Sequence, residues 1–423
     1  GAPGGETKEE VGSPQPTAPQ AESFDTSFGE NGSGIARVSF GNDDGGSFSD
    51  VQLRGQDLVL AGTGFGGLGG SRFAVTHLTA GGALDPEFAG GTLVKLGFAG
   101  STGSYAYAVG VGQQSTGSTV ALGWHELGVN PGNIALARWS DDGSAHDFTG
   151  GSNGKLELDL GGAEQIEDGL VLPDDHLLLA GQRDGQLLVV RITPDGLLDP
   201  SFGGTGYVTL AWESEAGASA LAVDAENRIV VVGQVGAEGQ RDVTVARLLD
   251  DGHLDSSFGS GGRVRVVRAA SDDRSAALSV QQDGSVLVAG DTRTAAQREL
   301  LLIQLTPDGS LDTTYGSGGS AVLATGFGDD TAEDVLVMAD GRALVAANAH
   351  AGGTTQPTLI RLSSAGKADP SFGEGGILAL NLGEYGRLER VLAYPGGRVL
   401  VTGGDEGMTP GPGTYGVVAR IWL

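Results

Sequence analysis

The chain has 423 residues, 39% of them hydrophobic and only 6% aromatic, with 76 glycines and no cysteine. That length suits two or three ordinary domains or one large repetitive one, and the missing cysteines exclude disulfides and thiolate metal sites. A net charge of −28, with four lysines among 25 cationic residues, repels phosphate backbones and argues against nucleic-acid binding; it suits cations or basic partners, or serves solubility alone.

Residues 1–22 open the chain with a Pro/Gly-rich stretch, "GAPGGETKEEVGSPQPTAPQ" over 1–20, whose one large apolar residue is Val11. Such a segment has nothing to bury and reads as a disordered tether ahead of a single domain over 23–423. Without an initiator Met or a signal peptide, the chain reads as a processed or trimmed form. No apolar run is long enough for a transmembrane helix.

From residue 23 onward one phrase keeps returning: "GLLDPSFGGTGYV" at 196–208, "GHLDSSFGSGGRV" at 252–264, "GSLDTTYGSGGSA" at 309–321 and "GKADPSFGEGGIL" at 366–378. Its aromatic recurs at Phe28, Phe88, Phe148, Phe202, Phe258, Tyr315 and Phe372, spaced 54 to 60 residues apart. A near-constant period of this length marks a repeat array. Each period holds four strand signals. In the fourth they are "ASALAV" and "RIVVVG" about a tight turn, then "VTVARLL", and after the phrase a short outer run such as "RVRVV". The counterpart turn Asp283-Gly284 is a strong hairpin signal.

Four strands repeated seven times predict an all-β, seven-bladed β-propeller with four-stranded blades. The alternative is a parallel β-helix, whose rungs are usually shorter. The small residues of "ASALAV", "SAALSV" and "AYAVGV" place these strands innermost, where a blade is most crowded. On this phase "GIARVSF" at 34–40 lacks a blade, and "YGVVARIWL" at 415–423 ends a blade one strand short. The two ends therefore complete one blade and close the ring.

In the repeated phrase, Asp and Ser/Thr are placed to cap the following turn, and the aromatic to plug the gap between blades. An arginine recurs in the third strand at 138, 191, 247, 361 and 420, with His77 and Gln304 as departures. It is expected to pair with the phrase's carboxylate, as Arg191 with Asp199. In copy three, His146 stands near the expected Asp position. The phrase, with "xDGxxLVAG" hairpins and a period just under 60, resembles the delta-60 repeat β-propellers of bacteria over about residues 24–423. The resemblance implies a secreted or surface-attached propeller and supplies no catalytic residues.

Function is expected on the face carrying the variable loops, since a rigid scaffold with one constant and one varied face binds through the latter. The candidate ligand-binding residues are Trp124, His125 and Glu126, read as part of a loop, with the acidic pairs Asp43-Asp44, Asp272-Asp273 and Asp329-Asp330 near the channel mouth. These carboxylates suggest Ca²⁺ or a solvated acidic rim; converging Asp272 and Asp329 from neighbouring repeats would be needed for Ca²⁺. No histidine pair has metal spacing, no catalytic residue is assigned, and no other cofactor is expected. The reading is a monomeric, non-enzymatic recognition or scaffold protein, tethered to a cell surface and binding a protein or glycan. A secreted carbohydrate-active enzyme with channel-mouth carboxylates is the alternative.

Overall fold

The computed structural model describes residues 22–41, 45–65, 70–98, 104–127, 132–268, 271–294, 297–383, 386–405 and 415–423. These residues form seven four-stranded antiparallel sheets, the blades of a propeller. Blades 1 to 6 follow in chain order, with first strands beginning at residues 45, 104, 164, 216, 273 and 329. Blade 7 is made of Gly386–Tyr394, Arg398–Asp405 and Tyr415–Trp422, and its outer strand is Ile35–Ser39 from the other end of the chain. The register pairs Ile35 with Ala419 and Ser39 with Tyr415. The ring closes as the complementary ends require, with Ile35–Ser39 covering the edge that Tyr415–Trp422 would otherwise expose.

Glu22, placed in the tether by the sequence reading, is held by the propeller. Its backbone N–H donates to Trp422 O at 2.8 Å, and its carboxylate accepts from Gly373 N at 2.7 Å. It stands where other seams use a turn carbonyl of the next blade. Residues 1–21 lie outside the described residues.

The core is divided into seven wedges, each between adjacent blades. Between blades 3 and 4, for example, Leu178, Ala180 and Val189 meet Val231, Ala246 and Leu248 under Phe202. The repeated phrase seals each wedge. Phe202 is fully buried, and Gly203 N donates to Asp251 O of the next blade at 2.8 Å. The neighbouring turn must carry glycine, because Gly252 has φ +86° and a Cβ there would sit 3.0 Å from the Phe202 ring.

The third-strand arginine ties the pieces together. Arg247 Nε donates to Asp255 at 2.8 Å, Nη2 to Ser257 at 3.1 Å and Nη1 across the seam to Pro307 O at 2.6 Å. Its guanidinium lies 4.5 Å from the centroid of Phe258. Arg191, Arg361 and Arg420 pair likewise with Asp199, Asp369 and Asp25 at 2.7, 2.9 and 2.8 Å. Copy three departs as its sequence does: Arg138 donates to the carbonyls of His146, Asp147 and Pro194. In blade 1, where His77 replaces arginine and stacks on Phe88 at 3.8 Å, Arg54 takes over. It reaches Asp141 of the next blade at 2.7 Å and Asp85 of the phrase at 3.9 Å.

Arg247→Ala should lower stability by about 3–5 kcal/mol, the cost of stranding a buried partner. Arg342→Ala, which removes a surface ion pair with Asp340 and a longer one with Asp369, itself still held by Arg361, should cost less than about 1 kcal/mol. Urea unfolding midpoints of the two variants check the contrast.

Candidate functional site at the channel mouth

The first strands of all blades line a central channel. Each carries a β-bulge at the same level, leaving Ser49, Val109, Glu167, Ser219, Ala276, Glu333 and Glu389 unpaired in the ladder. A bulge re-aims side chains next to functional sites, and here it directs one residue per blade toward the lumen. The next position around the ring reads Asp50, Gly110, Asp168, Ala220, Ala277, Asp334, Arg390.

The three aspartates share one cation. Arg390 lies 2.7 Å from Asp168, 3.6 Å from Asp50 and 4.0 Å from Asp334. The remaining oxygens bind the following blade: Asp50 accepts from Val111 N at 2.8 Å, Asp168 from Leu221 N and Asp334 from Val391 N, both at 2.9 Å. Burial works against the charge of Arg390, yet the three carboxylates hold its pKa above the ordinary arginine value. One cation cannot neutralise three anions, so burial wins at the others. The Asp50 carboxyl is pushed up to about 7 by burial, with Arg390 opposing, and that of Asp334 is raised for the same reason. Arg390 separates a small cavity of about 150 Å³ at the constant face from a funnel of about 1030 Å³ at the variable face.

The funnel has a polar and an aromatic wall. Trp124 stacks on Tyr107 with ring centroids 4.9 Å apart. Beside them, Gln182 donates to Gln165 at 3.0 Å and Gln165 to Glu167 at 2.7 Å. Farther round, Ser219 donates to Gln234 at 3.1 Å and meets Ser275 at 3.1 Å. Glu333 accepts from Asn348 at 3.0 Å and Thr331 at 2.9 Å. Glu167 reaches the channel water, yet the encircling walls push its carboxyl up to about 7; burial also raises that of Glu333. Arg274, Arg387 and His350 complete the rim.

The sequence-predicted residues divide. Trp124, His125 and Glu126 belong to the second strand of blade 2, Thr119–Leu127, not to a loop. Alternation along that strand sends them apart: Trp124 lines the funnel, whereas buried His125 bonds Ser104 at 2.9 Å and faces Glu157 at 3.4 Å. Asp43 and Asp44 lie outside the described residues. Asp272 and Asp329 do converge, but on Arg298, which donates through Nη2 to Asp272 at 3.0 Å and through its backbone N–H to Asp329 at 2.8 Å. Arg241 also grips Asp272, at 2.8 Å, and its hydrogen bonds hold that carboxyl below the usual range. Asp273 is fully buried against Arg268 and Thr292, and Asp330 against Thr325. These carboxylates brace loops through arginine and hydroxyl partners.

Sequence reading missed the ring of Asp50, Asp168, Asp334 and Arg390. Its signal is in "SDVQL", "EDGLV", "EDVLV" and "ERVLA" at 49–53, 167–171, 333–337 and 389–393, one charge in the first and charged pairs in the other three, inside strands otherwise rich in small residues.

Four stretches, residues 172–202, 226–258, 281–315 and 339–372, match the family model described as "Domain of unknown function (DUF5122) beta-propeller". Those four stretches are thus similar to the repeats of a β-propeller repeat family. A comparison with curated proteins found no match. Among solved structures, a PL25 polysaccharide lyase, an ulvan lyase, is 8% identical with a TM-score of 0.52, covering 90% of this chain and 95% of the lyase. The same kind of lyase bound to -[GlcA(1-4)Rha3S]- is 9% identical with a TM-score of 0.50 and the same coverages. Drosophila Semaphorin 1b extracellular domains 1–2 are 8% identical with a TM-score of 0.48, covering 89% of this chain and 85% of that one. At such identities the likeness to the two lyase structures is one of fold.

The folded state holds a proton on Asp50 that the unfolded chain releases near its ordinary value of 3.8. This contribution to stability is complete below that value and is lost as pH rises through about 7. Asp50→Asn should therefore flatten the fall in melting temperature between pH 4 and pH 7 relative to the unsubstituted protein. Melting curves of the two proteins across that range check the sign.

Proposed function

We propose that this delta-60-like propeller is a non-enzymatic recognition protein that binds a glycan in the funnel at its variable face. The observation that carries this reading is the stacked Trp124–Tyr107 pair beside the row Gln182, Gln165, Glu167. Aromatic faces cover the apolar faces of sugar rings, while planar amides and carboxylates match their hydroxyls. A concave site with a few convergent polar groups and shifted carboxyls is where a rigid scaffold binds small ligands. Residues 1–21 would tether the monomeric domain outside a cell envelope.

The second reading, a carbohydrate-active enzyme, is favoured by the raised carboxyls of Glu167 and Glu333 on one ring. A protonated acid opposite an ionised group is the arrangement that glycosidic cleavage uses.

A glycan array followed by titration calorimetry should find an oligosaccharide that binds and is recovered intact. Trp124→Ala should weaken that binding about tenfold or more, the effect of losing a central aromatic anchor, while Trp124→Phe, which keeps an aromatic against the same core, should weaken it less. Release of new reducing ends or unsaturated products, abolished in Glu167→Gln, would overturn the non-enzymatic reading in favour of the second.

A further inference from the structure

Six of the seven seams hold a guanidinium at the repeated phrase: Arg420, Arg54, Arg138, Arg191, Arg247 and Arg361 reach across to a carbonyl or carboxylate, or brace the phrase itself. The seam between blades 5 and 6 differs. The third-strand position is Gln304, whose amide donates to Leu305 O at 3.2 Å and accepts from Gln281 at 3.2 Å. It does not reach Asp312, the carboxylate of that phrase. Asp312 Oδ1 accepts from Thr314 N and Oγ1 at 2.9 and 2.6 Å. Its counterparts Asp199 and Asp255 make the same two bonds through Oδ1 and give Oδ2 to arginine. Among the described residues, no ion pair involves Asp312.

A cavity of about 200 Å³ stands at this seam, lined by Asp312, Gln304, Tyr315, Asp283, Pro307 and Ser364 among others. Ser364 occupies the turn position that supplies the cross-seam carbonyl elsewhere, as Pro307 does for Arg247. The aromatic has also changed. Tyr315 takes the place of phenylalanine, is 3% exposed, and its hydroxyl has no hydrogen-bond partner. A buried hydroxyl without a partner is unfavourable, and phenylalanine serves at the other six copies. The two departures from the repeat, arginine to glutamine and phenylalanine to tyrosine, fall on the same cavity.

We infer that this cavity is a binding seat for an alkylguanidinium supplied from outside the blade, held by the Asp312 carboxylate, the turn carbonyl of Ser364 and the face and hydroxyl of Tyr315. The chain itself provides the template, since an arginine side chain makes the corresponding carboxylate, carbonyl and ring contacts in blades 3, 4 and 7. Planar guanidinium geometry suits the set better than a compact ammonium does. The seat lies on the constant face, away from the funnel, so it is independent of glycan binding.

The test is titration of the protein, labelled with ¹³Cζ-tyrosine, with methylguanidinium and with methylammonium at equal ionic strength. The Tyr315 signal, identified by its loss in Tyr315→Phe, should shift saturably with methylguanidinium and at least about tenfold more weakly with methylammonium. Asp312→Asn should weaken the response about tenfold or more. Gln304→Arg, which returns the chain's own guanidinium to the seat, should abolish it and raise the melting temperature. A linear, unsaturable response in the unsubstituted protein, or an undiminished one in Gln304→Arg, would overturn the inference. Comparing agmatine with an acetylated Gly-Arg-Gly amide then separates the sources: tighter binding of the peptide assigns the seat to a partner's arginine, tighter binding of agmatine to a free guanidino compound.

Discussion

Everything in this propeller depends on how one blade is held to the next. A four-stranded blade buries too little surface to stand alone, so its apolar faces must be covered by its neighbours. The covering is done by the seven core wedges, but their outer ends would be open without the repeated phrase. There an aromatic fills the wedge and a glycine lets the adjacent turn approach. An arginine satisfies a carboxylate on its own blade and a carbonyl on the next. Such a pair leaves neither a charge nor a carbonyl stranded at the seam.

With the seams built on one phrase, the inner strands are free to vary. Every blade has the same bulge at the same level, so seven positions face the lumen whatever residue stands there. Three of the next positions carry aspartate and one carries arginine, and together they close the channel into a funnel with an acidic floor. The aspartates also accept backbone N–H groups from the following blade. The charge cluster is thus part of the ring's construction as well as the floor of the candidate site. The raised carboxyls above it, Glu167 and Glu333, follow from burial in the wall of the lumen, with Asp168 adding to the effect at Glu167.

Much of the fold was legible in the residues. The period, the four strands per repeat, the small-residue inner strand and the complementary ends all appear as local patterns, and the structure reproduces each of them. The arginine–aspartate pairing was legible as well, because both partners recur at a constant spacing of eight residues in blades 3, 4 and 6. The acidic pairs were visible, but their partners were not. Asp272-Asp273 and Asp329-Asp330 look like solvated carboxylates in a chain of charge −28, whereas Arg241, Arg298, Arg268 and Thr325 take them up.

Trp124, His125 and Glu126 show the limit most clearly. Their glycine-rich surroundings suggest a loop, yet they extend the second strand, and strand alternation then places Trp124 in the funnel and His125 in a buried contact with Ser104. The sequence by itself determined the repeat, the number of blades and the closure, because those depend on periodicity and on pairing between neighbours in the chain. Only the tertiary structure decided the candidate site. Asp50, Asp168, Asp334 and Arg390 come from four blades as much as 340 residues apart, and no local pattern records which side chains a closed ring will bring together at its axis.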